Sequence, residues 1–139
     1  MPRRTGMDGH RTRLTLTAAL LPLAVACGAQ LGDVPLHGTE WTVTAPSANG
    51  RAHLLFDQRT GKVTGRLGCN LVTASAAVRD ARIALGTAAT TRMMCDASLM
   101  HTEKRLLRLF GGTVKYRIDH RTLTLTSANG ERVTAVAGP

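Results

Sequence analysis

The sequence predicts a mainly β domain (α+β class): a compact, curved or barrel-like antiparallel sheet of about eight strands, with one amphipathic helix at about 97–110 packed on it. Three observations carry this. Short segments alternate apolar and polar residues, as in Thr122–Thr126 (TLTLT). Turn signals such as Ser47-Ala48-Asn49-Gly50 and Ser127-Ala128-Asn129-Gly130 fall at hairpin spacing. Only Asp96 to Phe110 places its apolar residues at helical intervals.

Taken in order, Glu40–Ala45, Arg51–Asp57, Lys62–Leu67, Val72–Val78 and Arg82–Leu85 read as strands. The helix follows. Asp96 or Ser98 can cap its start, Lys104, Arg105 and Arg108 sit towards the negative end of its dipole, and Gly111-Gly112 stops it. Val114–Ile118, Thr122–Thr126 and Arg132–Val136 complete the set, with Leu123 and Leu125 facing a core. Antiparallel strands in this number with one inserted helix suit a closed or strongly curved sheet.

The first 26 residues have the layout of an export signal of lipoprotein type: Arg3, Arg4, Arg11 and Arg13, then the apolar run LTLTAALLPLAVA, then Cys27. That run is shorter than the about 20 residues a membrane-spanning helix needs. Leu23-Ala24-Val25-Ala26-Cys27 resembles a bacterial lipobox, although Ala24 stands where Leu is commonest. Cys27 is thus the expected lipidation site, and residues 27–36 a lipidated tether with Gly28, Gly32 and Pro35. The expected location is the outer face of the cell membrane, with plain secretion as the alternative. Met7 is a possible start, since the signal is complete from there, and Arg3-Arg4 hints weakly at twin-arginine export.

Loss of the leader removes four arginines and Asp8, so the formal charge falls from +9 to +6. The basic surface suits a position near anionic lipid or wall polymer. Nucleic acid is not the expected partner, because Trp41, Phe56, Phe110 and Tyr116 are scattered and offer no stacking platform. The domain, residues 37–137, is expected to be a monomer.

Cys69 and Cys95 form an even pair in an exported domain, where pairing is the default. Closing a loop of about 27 residues would stabilise the fold by ~3–4 kcal/mol. Two rivals remain open. Met93, Met94, Met100, Cys95 and His101 form a soft-ligand cluster suited to copper(I), although methionine fills cores more often than it binds metal. Cys69 as a nucleophile would need a base from among His37, His53, His101 and His120. No Ser elbow, phosphate loop or suggestive carboxylate pair is present, so no catalytic residue, metal site or cofactor is expected.

Glu103 stands out. On a helical wheel Leu99, Leu106 and Phe110 cluster, and Glu103 falls within about 40° of Leu99. A buried acid needs hydrogen bonds, a cation or a proton. It is either a structural acceptor, with loop backbone or Arg92 as its partner, or a ligand-binding or general-acid carboxylate.

Trp41, then Gly65-Arg66-Leu67-Gly68-Cys69-Asn70, then Thr91-Arg92-Met93-Met94-Cys95, then Glu103 in a leucine-rich helix, then Leu123-Thr124-Leu125, together resemble the META/HslJ-like domain over residues 36–137. The resemblance implies a compact antiparallel β domain with a packed helix. Such domains are common in bacterial envelope lipoproteins and are associated with stress and antibiotic tolerance, with no known reaction. By position, Trp41, Gly68, Cys69, Asn70, Thr91, Arg92, Met94, Cys95 and Glu103 match its motif or structural residues. RAHLLFD fits the family's aromatic-bearing strand, whereas Val72–Val78 is alanine-rich where relatives often carry an aromatic. The function expected is that of a non-enzymatic envelope interaction or stress-protection module. A small-ligand-binding or hydrolase-inhibiting domain is the alternative.

Overall fold

A computed structural model describes residues 32–48 and 51–139. The leader, Cys27 and the Asn49-Gly50 turn lie outside the described residues.

The nine strands are β1 (Glu40–Ala45), β2 (His53–Asp57), β3 (Lys62–Arg66), β4 (Leu71–Arg79), β5 (Arg82–Leu85), β6 (Ala89–Thr90), β7 (Thr113–Asp119), β8 (Thr122–Thr126) and β9 (Arg132–Ala137); the helix α1 spans Ala97–Leu107. They form one sheet in the order β3-β2-β1-β9-β8-β7-β5-β4-β6, and a further β3–β4 pairing closes it. Eight antiparallel strands therefore make a barrel, and β6 sits outside the ring on β4.

Six pairings join strands adjacent in sequence, β1–β2, β2–β3, β3–β4, β4–β5, β7–β8 and β8–β9. Closure depends on strands distant in sequence: Thr42 pairs with Val136 and Ile83 with Val114. Tight turns use left-handed residues, among them Gly61, Gly130, and Asp80-Ala81 between β4 and β5. Asp tolerates that region through its short polar side chain, whereas Ala81 gains no such help.

Alternation places Trp41, Val43, Leu54, Phe56, Val63, Val72, Ile83, Val114, Leu123, Leu125 and Val133 inside, all buried. Trp41 Nε1–H donates to Leu36 O at 3.0 Å, so the indole's polar edge is satisfied within the core. Residues 33–36, which belong to the expected tether, are docked on the barrel. Val34 N–H donates to His120 O (2.9 Å), the Asp33 carboxylate accepts from His120 N–H (2.7 Å), and Leu36 is buried. Apolar Val34 and Leu36 give this segment a reason to pack that a flexible spacer lacks.

The helix lies by the opposite end, where β3 turns into β4. Asp96 is the N-cap, its carboxylate accepting from Leu99 N–H at 3.0 Å; Ser98 Oγ donates to Asp96 and does not itself cap. Gly111, at φ +79°, ends the turn after the helix, and its N–H donates to Leu85 O. The buried side differs from the predicted stripe. Thr102, Glu103 and Leu106 are buried and Leu109 beyond the helix is buried too, while Leu99, Met100, Leu107 and Phe110 are half-buried. The α-helix stops at Leu107, so the following turn swings Leu109 into the core. Arg105 holds Glu131 at 2.8 Å, tying α1 to the β8–β9 turn.

Two smaller differences are local. The second strand starts at His53 and not Arg51, although Ala52 O still accepts from Val43 N–H at 2.8 Å. The short β6 was not predicted, because two residues are too few to show an alternation.

Candidate functional site

The β3–β4 turn, the loop before α1 and the helix itself meet around Glu103, which is 5 % exposed. Its Oε1 accepts from Cys69 N–H (3.2 Å) and Asn70 N–H (2.6 Å), and its Oε2 from Asn70 Nδ2 (2.8 Å). A carboxylate that receives two backbone N–H groups and an amide is satisfied without a counter-ion. Of the two partners expected for a structural Glu103, loop backbone is the one found, while Arg92 is exposed and absent from the ion pairs among the described residues. The turn amides, which point at the helix, supply that backbone.

Asn70 extends the network and is itself 3 % exposed. Its Oδ1 accepts from Met93 N–H and from Thr91 Oγ1 (2.9 Å), and its Nδ2 also donates to Met93 O (3.2 Å). Thr91 Oγ1 in turn accepts from Leu71 N–H at 3.0 Å. One asparagine thus uses donor and acceptor ends together to pin the loop before α1 to the start of β4, and an aspartate in its place would lack the donors. Arg66 closes the turn from outside, its guanidinium donating to Cys69 O at 3.0 Å.

Two further residues set the closeness of this junction. A Cβ on Gly68 would lie 2.0 Å from Leu99 O and 2.9 Å from Glu103 N, so only glycine lets the turn reach the helix backbone. Cys69 and Cys95 form a disulfide, their Cα atoms 5.9 Å apart across 26 residues of sequence. The pairing occupies the sulfur that a copper site would have used, and the thiol a nucleophile would have used. Met93 and Met94 point outward at 48 % and 89 % exposure.

The residues singled out in the sequence therefore divide. Gly68, Cys69, Asn70, Thr91, Cys95 and Glu103 converge on one junction, Trp41 belongs to the core, and Arg92 and Met94 face solvent. Sequence reasoning missed Arg66 and the backbone of Met93 as partners; a main-chain carbonyl or amide leaves no mark in the residue code. A second cluster, exposed Asp33, Asp119 and His120, gathers at the other end of the barrel, where it ties the N-terminal segment to the β7–β8 turn.

Fold and junction define a class: a small closed antiparallel barrel whose flanking helix is held by a glutamate–asparagine network and a disulfide. The META domain family model matches residues 34–138, and the chain belongs to that family. Two solved structures are similar in fold. An NMR structure of a protein from Burkholderia xenovorans has 23 % identity and a TM-score of 0.60, covering 74 % of this chain and 83 % of its own. A second NMR structure has 16 % identity and a TM-score of 0.59, covering 73 % and 90 %. Among curated proteins none matches.

Proposed function

We propose that this META domain protein is a non-enzymatic envelope module that acts through its outer surface, anchored by lipid on Cys27. The observation that carries the proposal is how the polar and apolar interior is used. Trp41, Phe56, Ile83, Leu123 and Leu125, each under 2 % exposed, occupy the barrel where a ligand would otherwise sit. Glu103, the buried acid, spends both oxygens on the turn amides and Asn70. A carboxylate so committed holds structure and has no free oxygen to offer a substrate. Exposed strand faces and the Met93-Met94 loop are then the parts available to a partner.

The test is made in cells. Photo-cross-linking groups placed on exposed positions of the strands and of the Met93-Met94 loop should capture defined neighbours in the envelope, and Cys27→Ser should release the protein from the membrane fraction. Uniform labelling with no defined adduct would refute the interaction role. Unchanged membrane association of Cys27→Ser would refute the lipid anchor.

A further inference from the structure

The outer face of β4, β5, β7, β8 and β9 carries a row of cations set by strand register. Arg79 pairs with Arg82, Arg82 with Lys115, Lys115 with Thr126, and Thr126 with Arg132. The four charged residues are exposed, while Ile83, Val114, Leu125 and Val133 beside them point into the core. At ~4.8 Å per strand step the row is roughly 19 Å long. Arg117, two residues along β7 on the same face, widens it.

Like charges directly opposite on neighbouring strands repel, and a stable sheet ordinarily relieves this with an acid. Here none does so: among the described residues these five cations enter no ion pair. Glu131, next to Arg132, is engaged by Arg105 and Arg108, and Asp80, next to Arg79 in the turn, forms no ion pair with these cations. Arg82, Lys115, Arg117 and Arg132 line one shallow depression of about 580 Å³, together with Thr124, Thr126 and the carboxylate of Asp80. Four cations thus converge there on a single carboxylate, which leaves the depression net positive.

We infer that this row binds a flexible linear polyanion of repeated phosphate groups. The inference deepens the surface-module reading and rests on it. Shape selects the partner: the row crosses five of the eight barrel strands, so it curves with the wall. A flat bilayer meets the cations of adjoining strands only, whereas a flexible chain follows the whole row. The aromatic in the depression, Tyr116, is half-buried and packed against the core, so bases meet no exposed platform and a nucleic acid gains little beyond its phosphates.

Binding of labelled inorganic polyphosphate to the full-length protein, followed by fluorescence anisotropy, tests this. With four cations engaged, affinity should fall roughly 50-fold between about 50 and 200 mM salt, and in Arg82→Gln/Lys115→Gln the fall should shrink to roughly 7-fold. Arg59→Gln/Lys62→Gln, with the same charge loss on another part of the barrel, should bind as the parent does. Failure to bind polyphosphate, or equal weakening in both double variants, overturns the inference. So does tighter binding, at matched phosphate, to anionic phospholipid vesicles or to single-stranded DNA. Defined envelope cross-links elsewhere on the surface would survive any of these results, so the two readings fail separately.

Discussion

Replacing Glu103 by Gln removes one charge and one acceptor while keeping the shape of the side chain, and the surrounding hydrogen bonds set the cost. If the remaining oxygen stays on the Cys69 and Asn70 amides, the new Nε2 faces Asn70 Nδ2, donor against donor. Asn70 cannot turn over to meet it, because its Oδ1 already accepts from Met93 N–H and Thr91 Oγ1. If the glutamine turns over instead, both backbone amides lose their acceptor. The first arrangement loses one charge-assisted bond, each worth ~1.5–3 kcal/mol, and weakens two others, so about 3 kcal/mol is expected. For a domain of this size that lowers the midpoint of thermal unfolding by at least ~12 °C. Urea unfolding followed by circular dichroism, with the disulfide intact, measures it. A second change, Asn70→Asp in the Gln variant, lets Gln Nε2 donate to a carboxylate but sets that oxygen against Met93 O, which had accepted from Asn70 Nδ2, so it should recover little of the loss. Stability within ~0.5 kcal/mol of the parent would refute the structural role of Glu103, and lost binding alongside such stability would make it a functional carboxylate.

Gly68→Ala forces a Cβ against Leu99 O at 2.0 Å, backbone against backbone, and should cost ~3 kcal/mol or more, read as a shift of the urea midpoint. Cys69→Ala/Cys95→Ala should lose about 3.5 kcal/mol by opening the loop across 26 residues of sequence, and intact mass under non-reducing conditions should show the parent two hydrogens lighter than its reduced form. The Asp96 carboxyl is held below its ordinary value of 3.8 by the Leu99 N–H and then by the Ser98 hydroxyl. A depressed folded value adds stability that is present above the unfolded value and is lost as pH falls through the folded one. Asp96→Asn keeps a capping side chain without the titration, so its thermal midpoint should fall less steeply than the parent's below about pH 4.

Much of the fold was legible because β alternation and helical spacing are local. TLTLT is a half-buried strand wherever it lands, and Asp96 before ASLMHTEKRLL is a cap whatever the helix meets. The convergence of GCN with Glu103 was legible in part: the wheel turned the acid inward, and an even cysteine pair implied a bond. Its partner stood open between loop backbone and Arg92, because Arg92 is near in sequence while the amides of Cys69 and Asn70 lie 34 and 33 residues away. A residue string does not show which loop's amides will reach an acid, so only the fold could choose the β3–β4 turn.

By itself, then, the sequence determined which residues alternate, which segment is helical, which acid faces inward and which cysteines are available to pair. Each of these depends on neighbours a few positions apart. Tertiary structure alone decided that β1 meets β9 and that β5 meets β7, the long-range pairings that complete the ring. It also decided that Glu103 caps a turn and that Arg79, Arg82, Lys115 and Arg132 stand in one row. The row is the clearest case: its members are spread over more than fifty positions, and a one-residue slip in any pairing would turn a strand's cations towards the core. Register comes from burying the other face of each strand against the whole barrel at once, which no local pattern encodes.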